Sequence, residues 1–186
     1  PRRKVTITVK PCHAIRVINQ RRHSRQPTFK PRNRRVLLGD VARRTGEMVA
    51  HWQAVGFMHG VMNTDNMSIL GLTLDYGPFG FMEAFDAGHI CNHSDHYGRY
   101  SYRAQPRVAH WNLYALGDAL MPLVGLPQAV REIIDGHFIP AFETTFLRLM
   151  RAKLGLRIAM DGDAEFIDQT FGLLQALAER SETGIS

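Results

Sequence analysis

The sequence has few cysteines, no long apolar run and no secretory signal. Two cysteines, Cys12 and Cys91, are too few for the disulfide framework of a small secreted domain and are typical of a reducing compartment. No apolar stretch reaches the roughly 18 to 20 residues that a membrane-spanning helix needs. The basic N-terminus is not followed by the apolar core of a signal peptide. We therefore expect a protein of the bacterial cytoplasm with no membrane partner.

Acidic residues are missing from the first 35 positions, so the positive charge lies at one end. The formal net charge is +6, and residues 1–35 hold 12 of the 23 Lys and Arg residues, whereas residues 36–186 hold all 17 Asp and Glu residues. A nucleic-acid-binding arm would need aromatic side chains for base stacking, and this segment has only Phe29. The pattern predicts a basic, poorly ordered tail over 1–35, with a short strand at 5–9. It does not favour nucleic acid as a partner.

From residue 36 to residue 186 the hydrophobic pattern is that of a folded, mainly helical domain. Apolar residues recur every three or four positions over 36–55, 106–121 and 127–154, and Asp163 is suited to cap a last helix. Gly136 and Pro140 would allow a break in the third of these helices. Short apolar runs at 67–70 and 72–74, on either side of Gly71, predict two brief strands. The predicted fold class is mainly α, with one small strand pair near its chemical centre.

The segment His59-Gly-Val-Met-Asn-Thr-Asp-Asn66, followed by Asp75-Tyr-Gly77, has the layout of a protein-kinase active site. In kinases a catalytic loop that ends in Asn is followed by a metal-binding Asp before a Gly. Asn66 and Asp75 lie nine positions apart, so the predicted strand pair would bring them to one end. Carboxylate and amide oxygens are ligands that Mg²⁺ prefers. Asn66 and Asp75 are therefore the candidate metal ligands.

One position departs from the kinase pattern. When His59 and Asn66 are aligned with the kinase loop, Val61 occupies the position of the catalytic Asp. Because Val cannot accept a proton, the site cannot perform the kinase reaction in the usual way. A carboxylate is present at Asp65, directly before Asn66. It is either a replacement base or a residue that caps the loop, and the spacing leaves both interpretations open.

These motifs resemble the selenoprotein O-like protein adenylyltransferases, also called the YdiU family. The resemblance is carried by residues 59–81, with 91–95, 98–100 and 111–113 beyond them, and it covers roughly 36–180. It implies a kinase-like fold, here its helical C-terminal lobe, that binds ATP in a flipped orientation and transfers AMP to Ser, Thr or Tyr hydroxyls of proteins. It further implies that Asp65 is the catalytic base, that Asn66 binds Mg²⁺ or Mn²⁺, and that Asp75 binds the metal and contacts the nucleotide phosphates.

The resemblance does not extend to everything that the reaction needs. The N-terminal lobe of the family supplies the glycine-rich segment, the Lys and the arginines that hold the triphosphate, and residues 1–35 do not match it. We therefore expect 36–186 to be an incomplete, inactive C-terminal lobe and 1–35 to be a foreign segment, such as a frameshifted or wrongly joined one. Two other functions stay open: a kinase-like phosphotransferase and a non-catalytic, pseudokinase-type scaffold.

Several other polar residues have two interpretations. The cluster of His89, Cys91, His93, Asp95 and His96 contains metal-ligand types, but its spacing is not that of a paired zinc site, which favours hydrogen-bonded loop residues. Arg99 could contact a phosphate or an acceptor peptide, or form a structural salt bridge. His59 is expected to tie the catalytic loop to the core. Cys12 and Cys91 are expected to be inert.

Overall fold

A computed structural model describes residues 31–182 of the chain and the side chains of residues 34–180. The elements, in chain order, are α1 (Pro31–Val55), β1 (Phe57–Met58), a 3₁₀ turn (Thr64–Asn66), β2 (Gly80–Phe81), a second 3₁₀ turn (Tyr102–Ala104), α2 (Gln105–Val124), α3 (Pro127–Lys153) and α4 (Asp163–Glu182). The predicted strand at 5–9 and Cys12 lie outside the described residues. The mainly helical prediction is confirmed for the described part.

Helix α1 is the centre of the core. Its buried residues recur at helical spacing and pack against α2 and α3, and they include Leu38, Val41, Val49 and Trp52. Gly46 allows the close approach of α3, because a Cβ added there would lie 2.7 Å from the carbonyl oxygen of Phe138. The helix begins at Pro31, five residues before the predicted start, since proline is well suited to a first helical turn.

Helix α3 runs without a break from Pro127 to Lys153, so the interruption considered at Gly136 or Pro140 does not occur. Buried residues on both sides of these positions, Val130, Ile134, Phe138 and Met150, keep one face of the helix against the core. Packing along this face therefore outweighs the local cost of a glycine and a proline. Helix α4 adds a smaller cluster in which Ile167 packs with Met150 and Ala54.

The strand pair lies elsewhere than predicted. The two-stranded antiparallel sheet joins β1 to β2, with Phe57 opposite Phe81 and Met58 opposite Gly80. In the segment 67–74, where two strands were predicted, a single antiparallel bridge joins Met67 to Thr73. The turn between them uses Ser68, whose carbonyl and hydroxyl oxygens accept the N–H groups of Gly71 and Leu70. Because Ser68, Leu70 and Gly71 form these turn hydrogen bonds, too few residues remain to extend the Met67–Thr73 bridge into a pair of strands.

Within residues 31–182, none of the helices is both long enough and apolar enough to cross a membrane. The long segment between β2 and α2 consists mainly of turns and bends and ends in the second 3₁₀ turn. Two backbone hydrogen bonds join the end of this segment to its middle, because Tyr102 N–H donates to His89 O at 3.1 Å and Arg103 N–H to Ala87 O at 3.0 Å.

Candidate functional site

The loop between β1 and the first 3₁₀ turn is deeply packed for a loop. Met58, His59 and Met62 are each at most 1% exposed, and Gly60 is buried as well. Gly60 has a φ of +76°, and a Cβ there would lie 2.8 Å from the Sγ atom of Cys91. Only glycine adopts this conformation readily at so close an approach. The His-Gly pair therefore turns the chain sharply away from β1 and towards Asp65.

Three amide side chains hold this loop from behind. Gln105, at 0% exposure, accepts the N–H of His59 at 2.9 Å and donates to the carbonyl oxygen of Phe57 at 2.8 Å. Asn112 donates to Met62 O at 2.9 Å, and Asn92 donates to Gly60 O at 3.0 Å. These three residues, which we call the amide clamp, satisfy backbone groups that would otherwise be buried without partners.

His59 connects the two functional loops. Its Nε2 atom lies 2.6 Å from Leu74 O, so this nitrogen carries the proton and donates. Burial lowers the pKa of His59, and the hydrogen bond to Leu74 and the charge of Asp75 oppose this shift only in part. The Nδ1 atom is buried and has no hydrogen-bond partner within the described residues, which fits a neutral ring. The expectation that His59 ties the catalytic loop to the core is confirmed.

The second loop is fixed just before Asp75. Trp52 of α1 donates from Nε1 to Thr73 Oγ1 at 2.9 Å, and Thr73 also forms the bridge to Met67. Asp75 then adopts a φ of +56°, and its carbonyl oxygen accepts the N–H of Gly77 at 2.8 Å. A non-glycine residue in the left-handed region is uncommon, although Asp tolerates it better than most. This turn leaves Asp75 exposed beside the end of the bridge.

The first loop ends in the 3₁₀ turn that carries Asp65 and Asn66. Asn66 donates from Nδ2 to Val61 O at 3.0 Å, which leaves its amide oxygen as the atom available to a ligand. Asp65 makes no hydrogen bond or ion pair with any other residue in the range 31–182. Because Asn66 precedes one residue of the Met67–Thr73 bridge and Asp75 follows the other, both leave the bridge at the same end. This single bridge therefore brings Asn66 and Asp75 to the same end, which the predicted strand pair was expected to do.

The oxygen atoms at this end of the bridge suit a hard divalent cation. The free amide oxygen of Asn66 and the exposed carboxylate of Asp75 belong to the ligand class of Mg²⁺, and two protein ligands are typical when phosphates and waters supply the others. The residues present therefore fit the metal that the resemblance implies. They leave the choice between Mg²⁺ and Mn²⁺ open.

The loop that contains His89, Cys91 and Asp95 has structural hydrogen bonds instead of a metal cluster. Over the described range 31–182, no three His, Cys, Asp or Glu residues are grouped so that they could hold a metal. The Sγ atom of Cys91 lies 3.6 Å from Met58 O, and burial raises the pKa of its thiol, as expected for an inert cysteine. Asp95 accepts the N–H groups of Arg99 and Tyr100 at 2.9 and 2.7 Å. Cys91 and Asp95 are therefore hydrogen-bonded loop residues, as expected.

A group of aromatic rings lies beside Asp75. Phe57 packs against Tyr76, Phe79 and Phe81 with ring centroids 5.4 to 6.3 Å apart. Phe79 and Phe81 pack within this group but remain 46% and 59% exposed. The rings therefore present an apolar surface next to the candidate nucleotide-binding residue.

The amide clamp was not identified from the sequence. Asn92 and Asn112 lie within the motifs that carry the resemblance, but no role was assigned to them, and Gln105 was passed over. The available signal was polar side chains at positions that face the core, such as Asn112 between the buried Ala109 and Leu113. A buried amide needs partners, so such a position indicates a backbone that is held in place.

Comparison with known proteins agrees with the motifs. Residues 16–181 match the family model described as protein adenylyltransferase SelO. This match begins inside the segment 1–35, so it includes residues that we had expected not to resemble the family. It leaves the proposed domain boundary at residue 35 a prediction.

Several relatives carry the name protein nucleotidyltransferase YdiU. The one from Dechloromonas aromatica is 70% identical over 139 residues, which are 75% of this chain and 28% of the relative. The one from Herminiimonas arsenicoxydans is 56% identical over 151 residues, or 80% of this chain and 30% of the relative. The chain thus spans less than a third of the length of these relatives. The loops, the motifs and the match over most of its length show that the chain belongs to the SelO/YdiU family of protein nucleotidyltransferases.

Proposed function

We propose that this chain carries the catalytic and metal-binding loops of a protein adenylyltransferase, which transfers AMP from ATP to Ser, Thr or Tyr hydroxyls of other proteins. The observation that carries the proposal is the first 3₁₀ turn. It presents a carboxylate, Asp65, that is unpaired within residues 31–182, next to an amide, Asn66, whose nitrogen donates to Val61 O. The proposed base and the proposed metal ligand are therefore neighbours at the end of a buried, clamped loop.

Asp65 is the proposed base. It accepts the proton of the acceptor hydroxyl as the hydroxyl oxygen forms its bond to the α-phosphorus of ATP. The bond between the α-phosphorus and the bridging oxygen breaks, and pyrophosphate leaves with the electron pair. Val61 leaves the usual kinase base position without a carboxylate, so Asp65 is the nearest group that can take this proton.

Asn66 and Asp75 are the proposed metal ligands, and Asp75 also contacts the nucleotide phosphates. A bound Mg²⁺ or Mn²⁺ would neutralise phosphate charge and stabilise the leaving pyrophosphate. The chain's own contribution is orientation. His59 fixes the backbone before Asp75, and the amide clamp fixes the backbone before Asn66. Positioning of this kind supplies much of the rate in phosphoryl-type transfer.

The kinase-like fold, the partners and the cellular location are further proposals. A helix before the catalytic loop, an Asp-Tyr-Gly turn and three further helices are the expected parts of the C-terminal lobe of a kinase-like fold. The partners would be ATP and acceptor proteins. A bacterial cytoplasm is the proposed location, on the basis of the low cysteine content.

The test uses a protein of the relatives' full length. Residues 16–181 of this chain would replace the matching part of the Dechloromonas aromatica relative, and the chimera would be incubated with acceptor protein and ATP labelled at either the α- or the γ-phosphate. We expect label from the α-phosphate to enter protein and label from the γ-phosphate not to. Incorporation from the γ-phosphate would instead establish a kinase-like phosphotransferase.

Matched variants separate the roles of the carboxylates. Asp65→Ala should abolish transfer and leave the affinity for Mg·ATP nearly unchanged, whereas Asp75→Ala should weaken Mg·ATP binding as well. Asp168→Ala, at an exposed position of α4, is the control for loss of a carboxylate and should change neither. Full activity of the Asp65→Ala chimera would refute the assignment of the base. A folded chimera that transfers neither label would favour a non-catalytic scaffold.

A further inference from the structure

A groove opens directly behind the catalytic turn. It has a volume of about 460 Å³ and lies between α1, the segment 64–69 and α2. Its walls are mainly apolar, and they include Val41 of α1, Thr64 and Met67 of the segment 64–69, and Trp111 and Leu116 of α2. One carboxylate, Asp118, also lines the groove, two helical turns along α2 from Trp111. Because Thr64 directly precedes Asp65, an extended polypeptide with one side chain in the groove would pass the candidate base.

An arginine is held at the rim of this groove. The guanidinium carbon of Arg99 lies 5.2 Å from the ring centroid of Trp111 and 5.7 Å from that of Tyr100. The Trp111 side chain also lines the groove, so it contacts both the Arg99 guanidinium and the apolar interior. The Tyr100 hydroxyl donates to Asn63 Oδ1 at 2.6 Å, which joins the same unit to the loop two residues before Asp65.

Within residues 31–182, the guanidinium of Arg99 contacts aromatic rings and has no acidic partner. No described carboxylate forms an ion pair with it, so the salt bridge considered from the sequence is not present in residues 31–182. The nearest acidic residue along the chain, Asp95, is engaged by the backbone N–H groups of Arg99 and Tyr100. A guanidinium that lies against aromatic faces keeps its N–H donors free at the edge of its plane, where a carboxylate can bind.

We propose that Arg99 and the groove form a subsite for the acceptor polypeptide, which selects acceptors that have an Asp or Glu and an apolar residue close to the modified hydroxyl. This proposal rests on the adenylyltransferase function proposed above. The carboxylate of the acceptor is the anion to which we commit, rather than a nucleotide phosphate. Trp111 places the charge beside an apolar groove that a triphosphate would not use, whereas the proposed phosphate ligands Asn66 and Asp75 lie at the end of the Met67–Thr73 bridge.

The experiment measures peptide binding by the 186-residue chain in the absence of ATP, so it does not depend on AMP transfer. Short fluorescein-labelled peptides with one Ser and one Leu, and with either Glu or Gln at successive positions, are titrated by fluorescence anisotropy. We expect at least one Glu peptide to bind about fivefold more tightly than its Gln partner, with the difference shrinking at high salt. Arg99→Gln should remove this preference, and Arg99→Lys should keep part of it.

Arg148→Gln, which removes an exposed arginine of α3, is the matched control and should keep the full preference. Circular dichroism checks that all variants are folded. The proposal is overturned if Glu and Gln peptides bind equally, if neither binds, or if the preference survives Arg99→Gln. It is also overturned if Mg·ATP displaces the Glu peptide in an Arg99-dependent way, since the anion would then be phosphate. An Arg99-dependent preference in a protein that transfers no AMP would support the subsite and count against the proposed reaction alone.

Discussion

The amide oxygen of Gln105, the first residue of α2, accepts the backbone N–H of His59 at 2.9 Å. Through its amide nitrogen the same side chain donates to Phe57 O, so one fully buried residue satisfies the backbone on both sides of Met58. Helix α2 therefore holds the start of the candidate catalytic loop directly. His59, where this loop begins, is bound by a side chain 46 residues away in the sequence.

Replacing Gln105 with Leu should destabilise the fold by about 2 to 4 kcal/mol. The change leaves the His59 N–H and the Phe57 carbonyl oxygen buried without partners, and each such group costs about 1 to 3 kcal/mol. Urea denaturation followed by circular dichroism measures the change in the free energy of unfolding. Gln128→Leu is the control, because Gln128 is exposed and its side chain donates to Glu132 on the same helix, and it should stay within about 0.5 kcal/mol. Equal effects of the two substitutions would contradict this role of Gln105.

The stability of the chain should fall as the pH is lowered through the range in which free histidine becomes protonated. Burial lowers the pKa of His59 in the folded state, below its ordinary value of 6.5. Between these two values the unfolded state binds a proton that the folded state does not, so the free energy of unfolding decreases with falling pH. The resulting loss of stability is at most about 1.4 kcal/mol for each pH unit between the folded-state and unfolded-state pKa of His59. Above the unfolded-state pKa there is no such loss.

The comparison that isolates His59 is His59→Gln, which retains an amide donor for Leu74 O. Urea denaturation at pH 7.5 and pH 5.5 should show a smaller loss of stability in this variant than in the unsubstituted chain. His51→Gln removes an exposed histidine of α1 and should leave the loss unchanged. If His51→Gln reduces the pH dependence as much as His59→Gln, another titrating group is responsible.

Two glycine substitutions should have opposite effects. Gly60→Ala forces a β-carbon into the left-handed region and to within 2.8 Å of the Sγ atom of Cys91, which should cost at least about 2 kcal/mol. Gly136→Ala lies in the middle of α3 with no atom within 4 Å of the added carbon, and it should stabilise the chain by about 0.5 to 1 kcal/mol. Thermal unfolding of both variants tests the pair. A stable Gly60→Ala variant would show that the loop can relax.

The sequence predicted the helices well because their signals are periodic or local. The apolar spacing gave the bounds of α1, α2 and α3 within five residues, and Asp163 marked the start of α4. The strand pair was misplaced, because apolar runs flank Gly71 as they would in a hairpin, whereas β1 pairs with residues more than 20 positions away. Short strands of this kind depend on tertiary contacts that a local pattern does not contain.

The candidate residues come from sequence motifs and their roles stay predictions, whereas the side chains that support their loops were not identified before the structure. Asp65, Asn66 and Asp75 follow from a motif whose chemistry requires those residue types, and the structure places Asn66 and Asp75 at one end of the Met67–Thr73 bridge. The partners of the loop, such as Gln105 and Asn112, come from a helix that is distant in sequence, and nothing in local spacing shows which backbone group a buried amide will bind. Likewise, Arg99 and Trp111 are twelve positions apart, and their spacing does not show that the guanidinium lies over the Trp111 ring in the fold.

The 186-residue chain is expected to be inactive when it is not joined to the rest of a full-length relative. Asp65 is the proposed base and Asn66 and Asp75 are the proposed metal ligands, but transfer also requires the triphosphate to be held in line while the hydroxyl attacks. The chain spans 28% of the Dechloromonas aromatica relative, and the proposed triphosphate clamp belongs to a lobe that the resemblance does not place within this chain. We therefore expect the 186-residue chain to bind Mg·ATP weakly and to transfer no measurable AMP. The chimera is expected to bind Mg·ATP more tightly and to transfer AMP. Isothermal titration calorimetry with ATP and the α-phosphate labelling assay provide the two measurements. Transfer by the 186-residue chain at a rate close to that of the chimera would show that these loops hold the nucleotide by themselves.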